Sequence, residues 1–282
     1  MRLAHLILVH NNPIQLERLL KKMVYSNSDV YIHVDKKSDL SQFEYLKSLP
    51  NTFFIEKRIS VGWGNYSMVK ATLSSMQEIL DTKKKYSHIN LLSGQDYLLK
   101  RIEEIEAFYF ANTDKSYMAY LSIEEEWPDA QMRLIKYNLG DLYIPFNFWV
   151  QLCFNKVMPK RKVPGNLKPY GRSQWVTLTP ESVQYVLDFL KANKKALRFF
   201  KWTWAVDEIF FQTILLNSPF KESIVNENKR YIKFENNELN PKILRVSDAE
   251  SLLNSNKFFA RKFSMQEDSQ ILDILDHAMD VK

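Results

Sequence analysis

The sequence predicts an α/β fold, a mostly parallel sheet covered by helices on both faces. Over the first 120 residues, short apolar runs alternate with segments of helical periodicity, giving strand–helix–strand order. The runs, such as Leu6-Ile7-Leu8-Val9, are continuous, as strands buried on both faces require. The 282 residues, 45% apolar and 26% charged, have an ordinary globular balance with no repeat and no Pro/Gly/Ser linker, so one domain is expected.

In chain order, Leu6 to Val9 forms the first strand. Asn12-Pro13 then supplies an N-cap with proline at the first helical position, and Leu16, Leu19, Leu20 and Met23 share one helix face. Val30 to Val34 is the second strand, ending at Asp35, and Thr52 to Ile55 is a third. Ser67 to Leu80 reads as a helix, and Ile89 to Leu92 as a strand that breaks at Ser93-Gly94-Gln95-Asp96. Open parallel sheets bind ligands outside the carboxyl ends of their strands, which sets His10, Asp35 and loop 93–96 along one edge. In the second half, Met132 to Leu139, Pro180 to Leu190, Asp207 to Leu216 and Gln266 to Met279 carry helical patterns, and Trp175 to Leu178 a strand. Residues 155–170, with Lys156, Lys160, Arg161, Lys162, Lys168 and three prolines, read as a basic surface loop.

Composition removes several function classes. The single cysteine, Cys153, excludes a disulfide framework and a Cys-rich zinc site. Gly62-Trp63-Gly64 runs into Asn-Tyr-Ser and is no dinucleotide fingerprint, and no G-K-S/T run makes a Walker loop. The net charge of +6 favours an anionic partner: nucleic acid, a phosphorylated metabolite or an anionic membrane. No RRM, KH or helix-turn-helix pattern supports nucleic acid. No apolar stretch approaches the ~18 residues of a membrane span, and the apolar N-terminus is too short for a signal sequence and lacks its cleavage site. The expected setting is cytoplasmic, with the inner face of the membrane as an alternative. Tyr143, Phe146, Phe148, Trp149 and Phe154 lead into the basic loop, a pattern that suits either a buried strand before a solvated loop or contact with an anionic bilayer.

For chemistry, none of the five histidines has a second ligand four residues on, and there is no Asp-x-Asp. His33 and Asp35 share a strand face but read as strand-end polar residues, and Glu104–Glu106 and Glu124–Glu126 as solvated helix faces, so no metal site is expected. Asp207-Glu208 follows Trp202-Thr203-Trp204 and opens an apolar segment. Carboxylates at a helix start serve as dipole partners, but adjacent helical residues point about 100° apart, so one can face a cleft. In Phe259-Ala260-Arg261-Lys262-Phe263, two cations lie between aromatics, as a surface pair with packed stems or as fixed charge for a phosphate.

These segments resemble the Core-2/I-branching β-1,6-N-acetylglucosaminyltransferases and the related peptide xylosyltransferases. The resemblance rests on Leu8-Val9-His10, Ile32 to Ser38, Gly62-Trp63-Gly64, Asn90 to Tyr97, Gly171-Arg172-Ser173-Gln174-Trp175, Asp207-Glu208 and Phe259 to Phe263, and it spans residues 3 to about 264. Animal relatives carry an anchor, a stem and several cysteines, and a bacterial-type member is the expectation for this sequence with its single cysteine.

The resemblance implies a GT-A-type, Rossmann-like nucleotide-sugar-binding domain over 1–282. Residues 1–120 form the nucleotide-sugar half, 121–264 the acceptor half with the catalytic glutamate, and 265–282 a C-terminal helix. It implies inverting transfer with no cofactor and no divalent metal, Glu208 acting as general base. Lys262 neutralises the donor diphosphate with Arg261 beside it, and Arg230 is the second cation in preference to Arg245. Val9, His10, Asp35, Trp63 and Asp96 meet nucleotide and sugar. Apart from the resemblance, which is slight over 110–170, Trp127, Arg133, Lys136, Tyr137, Trp175, Trp202 and Trp204 are expected to meet the acceptor. The expected reaction moves a sugar, N-acetylglucosamine first, from a UDP-sugar to a glycan hydroxyl, the acceptor free or lipid-linked. The alternatives are xylosyl transfer, a non-catalytic nucleotide-sugar-binding protein and a basic nucleic-acid-binding protein.

Overall fold

The computed structural model describes residues 1–142, 144–235 and 240–280. In chain order the elements are β1 (Arg2–Val9), α1 (Pro13–Lys21), β2 (Ser28–Val34), β3 (Thr52–Phe54), α2 (Tyr66–Asp81), β4 (Tyr86–Ser93), β5 (Asp96–Leu98), α3 (Ile102–Phe110) and β6 (Ser116–Ser122). There follow α4 (Gln131–Ile135), α5 (Asn147–Val157), β7 (Tyr170–Leu178), α6 (Pro180–Ala192), α7 (Lys194–Lys201), α8 (Phe210–Leu215), β8 (Ile224–Val225), β9 (Arg230–Ile232), α9 (Ala249–Leu253), β10 (Phe259–Arg261) and α10 (Gln270–Asp280).

Among the described residues, seven strands form one sheet in the order β3-β2-β1-β4-β7-β6-β8. The β1–β2, β1–β4, β2–β3 and β6–β8 pairs are parallel, and β7 runs antiparallel to both β4 and β6. The fold class is therefore the expected one. Side chains alternate across β1: Ala4 and Leu6 enter one core with α2 and α6, while Leu3, Ile7 and Val9 enter the other with α1, α3 and α10. Burial on both faces explains why β1, β2 and β4 read as unbroken apolar runs. A smaller sheet, β5-β10-β9, carries the 259–261 segment.

The register aligns the strand ends. Val9 pairs with Val34, and Leu8 with Ser93. The Asp35 N–H donates to the Val9 carbonyl (2.8 Å) and the Gly94 N–H to the Leu8 carbonyl (3.1 Å). His10, Asp35 and loop 93–96 thus lie along one edge, as the parallel topology requires.

Several expected boundaries shift. Proline stands at the start of α1 as expected, but the Asn12 side chain makes no cap hydrogen bond. The helix expected over Met132–Leu139 stops at Ile135, because the backbone of 137–139 is claimed by side chains of α5. The C-terminal helix starts at Gln270, and β7 reaches back to Tyr170. The 155–170 segment is not all solvated loop. Its first residues finish α5, and Arg161 is buried, donating to the carbonyls of Lys136 (2.8 Å), Trp202 (2.5 Å) and Phe199 and to Thr203 Oγ1 (2.9 Å). Nor is the aromatic stretch before it a buried strand: Phe146 to Phe154 lie on or next to the exposed α5, and Tyr143 lies outside the described residues. Among the described residues, no helix is long and apolar enough to cross a membrane.

Candidate active site

Glu208 sits on a tight turn rather than in the first turn of a helix. Val206–Glu208 forms a single 3₁₀ turn and α8 begins only at Phe210, three residues past the expected start. Ala205, just before the turn, has a φ of 47°, in the left-handed region that side-chain-bearing residues seldom enter. Its N–H is held by the Gly64 carbonyl at 2.7 Å, which ties the turn to the Gly62-Trp63-Gly64 segment. On the other side, Gly171 of β7 lies against the turn: a Cβ there would meet the Glu208 carbonyl oxygen at 2.7 Å and Ile209 Cγ1 at 3.0 Å. Gly171→Ala is therefore expected to displace Glu208 and to cost about 1–3 kcal/mol of stability, read as a lower denaturation midpoint. An unchanged midpoint would mean that the turn adjusts freely.

The Glu208 side chain is 34% exposed, and its Oε2 accepts from Arg133 Nη1 at 2.6 Å. The Arg133 guanidinium lies over the rings of Trp127 (4.7 Å) and Trp204 (5.1 Å), and Trp204 meets Trp63 edge-to-face at 5.9 Å. One contiguous wall thus joins Glu208, Arg133, Trp127, Trp204 and Trp63. Stacking fixes a planar guanidinium without using its donors, so Arg133 is free to orient the carboxylate.

Asp207 lies behind. Burial and the neighbouring Glu208 charge push its carboxyl up to about 7, with Arg133 and Arg261 opposing, and its Oδ1 is buried without a hydrogen-bond partner. The folded chain thus holds this proton more tightly than the unfolded chain, whose carboxyl has the ordinary value near 3.8. Stability should fall as pH rises from about 4 through 7. Asp207→Asn, which stands in for the protonated form, is expected to flatten the dependence of Tm on pH between 5 and 8. The same slope in wild type and variant would assign it to another group.

The cations come from β9 and β10. Arg261 lies over the Trp175 ring at 4.1 Å, with its Nε 3.5 Å from Asp96 Oδ1 and unbonded. Trp175 is consequently buried under a cation instead of facing an acceptor. Burial raises the Asp96 carboxyl and Arg261 opposes that shift; its oxygens take the Ser93 N–H (3.0 Å) and hydroxyl (2.8 Å), bracing the turn after β4. Lys262 is half-buried, and its ammonium makes no ion pair among the described residues. The next residue anchors the segment: the Phe263 N–H donates to the Gln95 carbonyl at 2.9 Å.

Arg230 is where the structure departs most from expectation. It is buried, donating to Leu91 O (3.0 Å), Thr177 Oγ1 (3.1 Å), Asn228 O and Asn90 Oδ1. Acceptors on β4, on β7 and at Asn228 take both of its Nη groups in the interior, and its Nε is buried without a partner, so the guanidinium is turned into the core and not towards the open edge.

The remaining expected residues divide. Val9 packs under Gly94, and His10 is exposed. Asp35 takes the N–H groups of Lys37 (2.8 Å) and Val61 (3.3 Å), so its carboxylate braces two loops of the edge. Lys136 is exposed, with its backbone carbonyl accepting from Arg161, and Tyr137 packs on Phe154 at 5.2 Å. Trp202 lines a separate cavity of about 640 Å³ with Lys36, Lys70 and Lys201. His33, neutral because burial lowers it to about 4, accepts the Ile59 N–H at 2.9 Å and is a structural residue. Sequence reasoning missed Gln15, which is buried and bonds the Gly94 and Phe263 carbonyls (both 3.1 Å) and the Met265 N–H (2.9 Å), clamping loop 93–96 to the 261–263 segment. An amide on the otherwise apolar side of α1 was its only signal. Among the described residues, no group of three His, Cys, Asp or Glu side chains could hold a metal ion.

Comparison with known proteins matches this arrangement to one family. The model described as Core-2/I-Branching enzyme matches residues 3–254. Xylosyltransferase 2 of Canis lupus familiaris is 29% identical over 305 aligned positions, covering 98% of this chain and 33% of the relative. Xylosyltransferase oxt of Drosophila pseudoobscura pseudoobscura is 26% identical, covering 80% and 26%. The chain thus spans about a third or less of the length of these curated relatives. Among solved structures, S. aureus TarS 1–349 superposes with a TM-score of 0.43 at 10% identity, covering 99% of this chain and 65% of that one. Apo mouse xyloside xylosyltransferase 1 gives 0.39 at 13%, covering 79% and 84%. The family match takes in the carboxyl edge of the sheet, the tryptophan wall and the Glu208 turn alike, and the chain belongs to the Core-2/I-branching enzyme family.

Proposed function

We propose that this chain is an inverting, metal-independent glycosyltransferase of the GT-A type. It moves a sugar, N-acetylglucosamine first among donors, from a UDP-sugar to a hydroxyl of a glycan acceptor, free or carried on a lipid. The observation that carries the reading is the Glu208 carboxylate: partly open, one oxygen anchored by Arg133, the other without a partner among the described residues. It stands on the Trp127–Trp204–Trp63 wall, whose ring faces suit a sugar.

In the proposed step, Glu208 takes the proton of the acceptor hydroxyl as its oxygen attacks the anomeric carbon from the face opposite UDP. The bond from that carbon to the diphosphate oxygen breaks, and its electron pair leaves with UDP. Negative charge gathers on the departing phosphates, where Lys262, with Arg261 beside it, supplies the opposing charge. The curated relatives are named xylosyltransferases, which makes UDP-xylose the nearest alternative donor.

The test is a thermal-shift series with UDP-N-acetylglucosamine, UDP-xylose and free UDP, with EDTA and with Mn²⁺, followed by a glycan-acceptor screen for UDP release. Stabilisation by one UDP-sugar unchanged by EDTA, with acceptor-dependent UDP release, is expected. Stabilisation only with Mn²⁺ overturns metal independence. Binding with no release across the acceptors supports a non-catalytic protein, and no binding of any nucleotide overturns the reading.

A further inference from the structure

Helix α5 is built inside out. Its inward positions, four residues apart, are Asn147, Gln151 and Asn155. Asn147 Nδ2 donates to the Leu139 carbonyl (2.9 Å), Gln151 Oε1 accepts the Leu139 N–H (2.6 Å), and Asn155 accepts the Tyr137 N–H (2.7 Å) and donates to its carbonyl (2.9 Å). None of the eleven residues of α5 is buried. Its outward side is apolar: Phe148 is 70% and Trp149 63% exposed, flanked by Phe146 at 81% and Val157 at 84%. Surface helices ordinarily show the reverse pattern, and a contiguous apolar patch of this kind marks a contact surface.

Charge decides what covers it. From Leu142 to Pro180 the chain has no Asp or Glu but carries Lys156, Lys160, Arg161, Lys162, Lys168 and Arg172. Arg161 is spent on carbonyls, while the four lysines are exposed. A second copy docked on the same face by two-fold symmetry would set these lysines against each other. Aromatic rings beside a lysine cluster match the acyl–headgroup boundary of a bilayer with anionic lipids.

We infer that α5 and its basic flank seat the protein on an anionic lipid bilayer, with Phe148 and Trp149 in the headgroup–acyl boundary and Lys156, Lys160 and Lys162 on lipid phosphates. This rests on α5 and its surroundings alone and is independent of the transferase reading. Through residues 137–139, α5 is tied to the segment that carries Arg133, so the bilayer lies on the acceptor half of the molecule.

The experiment uses sedimentation with vesicles of phosphatidylglycerol and phosphatidylcholine (1:1) and of phosphatidylcholine alone, without nucleotide. An environment-sensitive label on Cys153, the single cysteine and exposed on α5, gives a second readout. Sedimentation with the anionic vesicles only, and a blue shift of the label, are expected. Each lysine near the surface is worth about fivefold, so K156Q/K160Q/K162Q should bind roughly 100-fold more weakly, and F148S/W149S should lose the blue shift while keeping a native circular dichroism spectrum. Negligible binding to both vesicles, or binding unaffected by either variant, overturns the inference. So does a dimer in solution that F148S/W149S dissolves while vesicles are ignored, since a second copy then covers the face. Because no donor or acceptor is present, failure here and failure of sugar transfer are read separately.

Discussion

Replacing Glu208 by glutamine is expected to lower sugar transfer by roughly 10²- to 10⁴-fold, the usual worth of a general base, while leaving UDP-sugar affinity within about twofold. Glutamine keeps the side chain's length and one carbonyl oxygen, so the hydrogen bond from Arg133 at 2.6 Å can persist, and with it the stack on Trp127 and Trp204. What it loses is the ability to take a proton. The two consequences separate cleanly: calorimetric titration of UDP reads the donor side, and the initial rate at saturating donor and acceptor reads the chemistry. Glu208→Ala is the coarser comparison, since it also strips Arg133 of its acceptor, and it should add a loss of stability that the glutamine variant does not show. Transfer by Glu208→Gln at the wild-type rate would move the base elsewhere. Asp207, one-third of a 3₁₀ turn away and with its Oδ1 buried, is then the next carboxylate to examine.

The parts of the molecule that a one-dimensional pattern can encode were legible. β1, β2 and β4 are covered on both faces, so continuous apolar runs marked them, and parallel pairing then set His10, Asp35 and loop 93–96 on a common edge. What failed depends on distant partners. The Glu208 turn is shaped by Ala205 at positive φ, the Gly64 carbonyl and the close approach of Gly171, none of which has a local signature. Arg133 meets Glu208 across 75 residues. Arg230 looked like a free cation because the acceptors that bury it, on β4 and β7, lie far away in sequence. In α5 an aromatic-rich stretch suggested burial, and only the inward Asn147, Gln151 and Asn155 side chains reversed that reading.

Removing the lysine charge in Lys262→Ala is expected to weaken UDP binding by about 10- to 100-fold, the scale of a charge-assisted hydrogen bond, and to slow transfer by ~100-fold or more, as loss of one preorganised charge-stabilising donor does. Three cations were candidates for the diphosphate, and the structure leaves them unequal. Arg230 is committed to interior acceptors, and Arg261 is held between the Trp175 ring and Asp96. Lys262 alone of the three has neither an ion pair nor a side-chain hydrogen bond among the described residues. Its backbone is anchored independently of its side chain: its carbonyl accepts the Leu244 N–H at 2.8 Å, and the adjacent Phe263 carbonyl is gripped by Gln15. Trimming the side chain therefore removes charge and leaves the loop, which a Tm close to wild type would verify. Lys262→Arg should recover much of the affinity, whereas Lys262→Gln should not. The deficit of Lys262→Ala should also narrow as salt rises toward 1 M, where screening acts within about 3 Å. Wild-type affinity and rate in Lys262→Ala would leave Arg261 as the charge that meets the phosphates. Arg261→Gln would then be expected to show the losses assigned here to Lys262, together with a rise in exposure of Trp175 detectable by its fluorescence.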